Sequence, residues 1–309
     1  MKMHISVATL LVAGTLFGPL GGLSLASAAT SNHHSINISG DEDGPVADRS
    51  GFHIRFDDRA AVMSSEERSI AKSQAPLHVE SEVNGGVQVQ GWDKDTYSVT
   101  ICKAVDASRN NPEQIFSQIK LSVENGKVSV SGPSNHDEWA VYLLVRAPKA
   151  AQIDLYAKNG PLGIYNLDAH LTAKTQNGPI SLRGFSGEAD ISAINGPISL
   201  TGNSGKLRLH TENGPISVSL NGDAWKGSGL EADAQNGPLT LRVPKNYQSS
   251  VLVESNGNSP MSCQASLCDG ARKTWDEDHR RIEFGQAPAV IHLSAVNGPI
   301  AVKQSTDKL

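Results

Sequence analysis

Arg208, His210 and Glu212 occupy alternate positions of one strand-like run, and Asp233 sits at the matching position of the next. Alternate residues of a strand share a face, so these four could gather on one surface. A base beside acids able to hold Ca²⁺ is what a polysaccharide lyase requires. The competing reading is a solvated face on which cations and carboxylates pair, each exposed pair contributing ~0.2–1 kcal/mol. The sequence favours the second reading, because nothing else in it completes a catalytic set. It contains no Gly-x-Ser-x-Gly, no His-Glu-x-x-His and no phosphate loop. His33-His34 and Asp278-His279 lack the partner spacing of a zinc site. No catalytic residue, cofactor or metal is expected, and the chain reads as a non-enzyme.

Cysteine chemistry is equally sparse. Cys263 and Cys268 lie in one polar segment, SPMSCQASLCDG, and could either staple a small loop or remain thiols. Cys102, within the strand-like TYSVTICKAV, is expected to remain a thiol. There is no Cys-x-x-Cys pair of the redox or zinc type.

The chain opens with Lys2, an apolar stretch from Val7 to Leu25, and Ala26-Ser27-Ala28. That order is the signature of a secretory signal peptide over residues 1–28. No later apolar run approaches the ~20 residues of a membrane span. The mature protein is therefore expected to be exported, to the periplasm or the cell surface, with no transmembrane segment. Removing residues 1–28 deletes one Lys and no acid, leaving a net charge of −6. A mildly acidic chain with no basic run excludes nucleic acid as a partner, because phosphate affinity rests on clustered Lys and Arg.

The elements that would position such residues are set by a repeat. Asn-Gly pairs at positions 84, 125, 159, 177, 195, 213, 236, 256 and 297 serve as rulers. Three and five residues after each Asn the side chains are apolar, as in Ile180/Leu182, Ile198/Leu200 and Ile216/Val218; Asn256 is the exception. Six, four and two residues before it they are again apolar or small, as in Leu207/Leu209/Thr211. Alternation on both sides of each turn means two short strands, each with one buried face. One such unit cannot cover its own apolar row, whereas stacked copies can. Spacings of 18, 18, 18, 23 and 20 residues between Asn159 and Asn256 suit one coil each. The fold class predicted is all-β, a parallel β-solenoid with coils of about 18–23 residues. The corner residues Asn159, Asn177, Asn195, Asn213, Asn236 and Asn297 should form a ladder of side-chain amides, with Asn and Gly accepting positive φ at the turn.

The ends depart from this beat. Residues 29–75 read as a flexible polar lead-in with a short helix in SSEERSIAKSQ, and order begins near Leu77. The longer runs TYSVTICKAV and EWAVYLLVRAP predict wider N-terminal strands, partly antiparallel, that cap the first coil. The solenoid domain then spans 76–309, with a surface-loop insertion at about 258–285.

The stretch LHVESEVNGGVQVQGWDKDTYSVTI, with Gly91-Trp92-Asp93, resembles the opening of the bacterial "putative adhesin" domain family of β-strand-repeat proteins. A strand ending at Ala147-Pro148 and the closing APAVIHLSAVNGPIAVKQ extend the likeness over roughly residues 76–303. The resemblance implies a parallel β-solenoid exported to the cell envelope, and it brings no catalytic residues. The expected function is a non-catalytic, adhesin-like surface for an envelope protein or polysaccharide. The alternatives are a carbohydrate-active β-helix enzyme and a self-assembling envelope scaffold. Nothing in the residues specifies the oligomeric state.

Overall fold

The strand Asp168–Asn177, DAHLTAKTQN, buries Ala169, Leu171, Ala173 and Thr175 and turns the residues between them outward. That alternation, repeated along the chain, builds the fold seen in the computed structural model. The structure describes residues 36–39, 53–56, 59–255, 259–276, 279–285 and 290–305. The signal-peptide segment, His33-His34, Asp278 and the Asn256-Gly257 turn lie outside the described residues.

Each coil contains a long strand, an Asn-Gly-Pro corner and a short strand. The long strands Ala151–Asn159, Asp168–Asn177, Ser186–Asn195, Ser204–Asn213 and Lys226–Asn236 pair in parallel to form one sheet. The short strands Leu162–Tyr165, Ile180–Arg183, Ile198–Gly202, Ile216–Leu220 and Leu239–Val243 form the other. Registration is residue on residue: Ile180, Ile198 and Ile216 are successive partners, and all three are fully buried. Leu171, Ala189, Leu207 and Leu230 form the facing row. The interior is thus a stack of thin aliphatic layers, each buried Leu or Ile contributing ~1.5–3 kcal/mol.

The corner has two requirements. Its backbone passes so close to the coil before it that a Cβ on Gly178 would run into the carbonyl of Gly160, and one on Gly196 into that of Gly178. Only glycine fits that column. Where the corner has a positive φ it falls on the glycine, as at Gly160, Gly178 and Gly237 (154–156°), and not on the ladder asparagines, which end their strands in extended backbone; this corrects the expectation that Asn shares the left-handed conformation. Proline imposes the second requirement. In a parallel ladder the nitrogen of Pro215 would donate to the Gly196 carbonyl, and proline has no proton there. The buried Thr211 supplies it instead, Oγ1 donating to Gly196 O at 3.2 Å. Thr175 reaches Gly160 O in the same way, at 3.5 Å.

The N-terminal end is antiparallel. Where the sequence predicts a helix in SSEERSIAKSQ, the structure has the strand Arg59–Ala71, paired antiparallel with Thr96–Asp106, which in turn pairs antiparallel with Trp139–Ala147. Order therefore begins well before Leu77, and tertiary pairing overrides the local helical preference of Glu66, Glu67, Arg68 and Ala71. Leu77–Gly91 turns the corner at Asn84-Gly85 and contributes to both sheets. The outer side of this cap carries a second buried cluster of Ile54, Phe56, Cys102, Ala104, Ala140, Tyr142 and Leu144. A short helix, Pro112–Gln118, with Phe116 buried, has no counterpart in the sequence expectations.

At the other end, stacking order departs from chain order. Ile291–Asn297 lies between Lys226–Asn236 and Val251–Ser255, parallel to both. Ile300–Gln304 is likewise held between Leu239–Val243 and Met261–Cys263. The coil above Asn236 therefore belongs to Asn297, not Asn256. The stretch expected as a surface loop at about 258–285 is a cap: Arg280–Phe284 runs antiparallel on Val251–Ser255, burying Ile282 and Phe284, and Arg272–Trp275 pairs on its outer side. Capping of this kind covers a sheet edge that would otherwise template another chain.

Candidate functional site

The long-strand sheet presents its outward residues in columns, one per coil, about 4.8 Å apart. The column through Asp154, Thr172, Asp190, Arg208 and Glu231 lies beside that through Tyr156, Lys174, Ser192, His210 and Asp233. The strands fix these positions rigidly, because each inward neighbour is locked in the core.

Of the four residues that the sequence singles out, Arg208 and His210 both turn to the next coil. Arg208 Nε lies 3.3 Å from Glu231 Oε2, and His210 Nδ1 lies 2.9 Å from Asp233 Oδ1. The other oxygen of Asp233 accepts from Ser294 Oγ at 2.7 Å. Glu212, on the same face, makes no hydrogen bond or ion pair among the described residues. The set is thus two coil-to-coil pairs and a lone carboxylate. Among the described residues no group of three or more His, Cys, Asp or Glu is placed to hold a metal ion.

The concave feature of this face reaches from the coil of Arg208 back to that of Gln152. A groove of about 340 Å³ is lined by Asp154, His170, Thr172, Glu188, Asp190 and Arg208, among others. Only Arg208 is shared with the sequence-derived set. The Lys206 ammonium hydrogen-bonds Glu188 and holds its carboxyl below the usual carboxylate value, with the positive charge of Arg208 acting in the same direction. Three acids and three bases interleave here, and no Trp, Tyr or Phe is in the lining. The missed signal was the column seven residues before each Asn: Gln152, His170, Glu188 and Lys206, in register.

The remaining sequence features have structural roles. The ladder runs through the corners: Asn177 Nδ2 donates to Asn159 Oδ1 at 3.0 Å, Asn195 to Asn177 at 3.0 Å, Asn213 to Asn195 at 3.1 Å, Asn236 to Asn213 at 3.2 Å and Asn297 to Asn236 at 3.0 Å. Cys263 and Cys268 form a disulfide, with Cα atoms 5.8 Å apart, that closes the cap turn; Cys102 is buried. In Gly91-Trp92-Asp93, Trp92 donates to Thr96 O at 2.7 Å beneath the Lys94 ammonium, 4.8 Å from the ring centre. Lys149 lies 2.7 Å from Asp93 and holds its carboxyl low. This motif fastens a turn.

No helix among the described residues is long and apolar enough to cross a membrane, which leaves β-barrels unaddressed. The chain belongs to the family described as Toastrack DUF4097, whose model matches residues 62–302. Similar solved structures include a "putative cell adhesion protein" from Clostridium sporogenes ATCC 15579, at 13% identity and TM-score 0.33, covering 79% of this chain and 100% of that one. A "putative adhesin" from Bacteroides fragilis NCTC 9343 matches at 10% identity and TM-score 0.35, covering 79% and 97%. Another, from Parabacteroides merdae ATCC 43184, matches at 9% and 0.35, covering 79% and 96%. No curated protein matches the chain.

Proposed function

We propose that this chain is a non-catalytic binding module of the cell envelope, with the outer face of its long-strand sheet as the recognition surface. The observation that carries the reading is the groove at Asp154, His170, Thr172, Glu188 and Asp190. It is concave, rigidly backed and lined with hydrogen-bonding groups of both signs, which suits a hydroxyl-rich glycan or a polar protein segment. A carbohydrate-active β-helix would pair its acids with aromatic platforms for sugar rings, and this lining has none. In this reading residues 1–28 direct export and the binding domain begins with the cap strand Arg59–Ala71.

The test is a glycan array and an envelope-extract pull-down with the purified chain and a Glu188→Ala, Asp190→Ala double variant. Binding by the parent that the variant loses while keeping its circular dichroism supports the proposal. Equal binding by both proteins removes the groove from consideration.

A further inference from the structure

Asn-Gly is the dipeptide most prone to deamidation, since glycine leaves its own nitrogen unhindered. The glycine nitrogen, having given up its proton, bonds to the asparagine Cγ. The Cγ–N bond to the side-chain amide breaks and ammonia leaves. Water then opens the cyclic imide to aspartate or isoaspartate. The reaction needs a glycine N–H that can be released and an asparagine side chain free to swing onto it.

The solenoid corner denies both. Gly160, Gly178, Gly196, Gly214 and Gly237 donate their N–H groups to the carbonyls of Asn177, Asn195, Asn213, Asn236 and Asn297, at 2.8–3.0 Å. Gly298, at the end of the series, donates to Ser259 Oγ at 3.1 Å. The side-chain amides of the ladder are fixed to one another as described above. Asn84, at the first corner, is buried and donates to His136 O at 3.2 Å.

Two further Asn-Gly pairs lie off the ladder. Asn125-Gly126 forms the two-residue tip of the hairpin between Lys120–Glu124 and Lys127–Ser131, with φ of 50° and 78°. Asn221-Gly222 lies in the longer bend of the 23-residue coil, with Gly222 at φ 66°. All four residues but Gly126 are exposed, and Gly126 is half-buried. Among the described residues neither asparagine side chain and neither glycine N–H has a hydrogen-bond partner.

We propose that Asn125 and Asn221 are the deamidation sites of the folded protein, and that the corner ladder preserves the other described Asn-Gly pairs chemically. Modification at Asn125 has a structural reach. Gly126 O accepts from His78 N at 2.9 Å, tying the hairpin tip to the first coil, and isoaspartate would lengthen the backbone by one methylene at that tie.

The experiment ages the full-length folded protein in mildly alkaline buffer, with a parallel sample in concentrated urea. Peptide mapping by mass spectrometry reports amide-to-acid conversion, and isoaspartyl methyltransferase labelling reports isoaspartate. Because a misplacement of ~1 Å from attack geometry can cost ~10²-fold in rate, Asn125 and Asn221 should convert about a hundredfold faster than Asn177, Asn195 and Asn213 in the folded sample. In urea the rates should converge. Folded-state rates at the ladder equal to those at Asn125 and Asn221 would overturn the proposal, as would an inert Asn125 and Asn221.

Discussion

Asn195 Nδ2 lies 3.0 Å from Asn177 Oδ1 and donates to it, while Asn195 Oδ1 accepts from Asn213 at 3.1 Å. Each interior member of the ladder therefore takes part in two bonds, and Asn297 in one among those described. At about 1 kcal/mol net per hydrogen bond, Asn195→Ala should cost about 2 kcal/mol and Asn297→Ala about 1 kcal/mol. Urea unfolding should show the difference as two midpoint shifts at unchanged slope.

Gly196→Ala adds one methyl group and no polarity, yet its Cβ would meet the backbone carbonyl of Gly178. Backbone cannot rotate aside as a side chain can, so the loss should be about 3 kcal/mol or more. Gly270→Ala, where no atom lies within 4 Å of the new Cβ, should stay within about 0.5 kcal/mol of the parent. Comparable losses at both sites would contradict the close approach of the coils.

His210→Ala and Asp233→Ala break an exposed pair and should each cost less than about 1 kcal/mol. Neither should change any polysaccharide-degrading turnover measured for the parent protein. A folded variant that abolished such turnover would make the face catalytic.

Alkaline pH should unfold the protein through its phenols. Burial raises Tyr97 and Tyr165, raises Tyr142 well above its usual value, and pushes Tyr247 up to about 12. An unfolded tyrosine ionises near ~10. Between those values the unfolded chain has lost protons that the folded chain keeps, so the stability contributed below ~10 declines as pH rises towards 12. Ultraviolet titration should show these four phenols ionising late and together with the loss of β-sheet circular dichroism. Ionisation of all four near ~10 with the fold intact would refute the account.

Deleting residues 178–195 removes one whole coil and leaves Asn177 to bond Asn213 in unchanged register, so a shorter folded stack is expected. Ending the chain at residue 290 deletes about as many residues but takes out Ile291–Asn297 from between two strands. That variant should lose cooperative unfolding. Calorimetry on the two proteins distinguishes them.

The coil was legible because its causes are local and repeated: alternation fixes the strand faces, and the Asn-Gly-Pro corner recurs at constant spacing. What the sequence hid depends on partners distant in the chain. Arg59–Ala71 is polar enough to read as a lead-in, and only Thr96–Asp106 makes it a strand. Asn297 carries the full Asn-Gly-Pro corner and Asn256 only the Asn-Gly, but nothing local says that Ile291–Asn297 inserts ahead of Val251–Ser255 in the stack. The candidate site was half visible. The columns of Arg208 and His210 follow from period two, but the groove around Glu188 needs the bend that brings Pro76 alongside Gln152 and Asp154.

The wedged position of Ile291–Asn297 also constrains how the molecule comes into being. Ile291–Asn297 is a keystone: the slot it enters is built from chain made some forty residues or more earlier. Coil-by-coil zippering can proceed from Ala151 to Val243, but it then halts, with a hydrophobic seam agape until Ile291–Asn297 arrives. Closure of this end of the stack should therefore be a late step, gated by the synthesis of Ile291–Gln304.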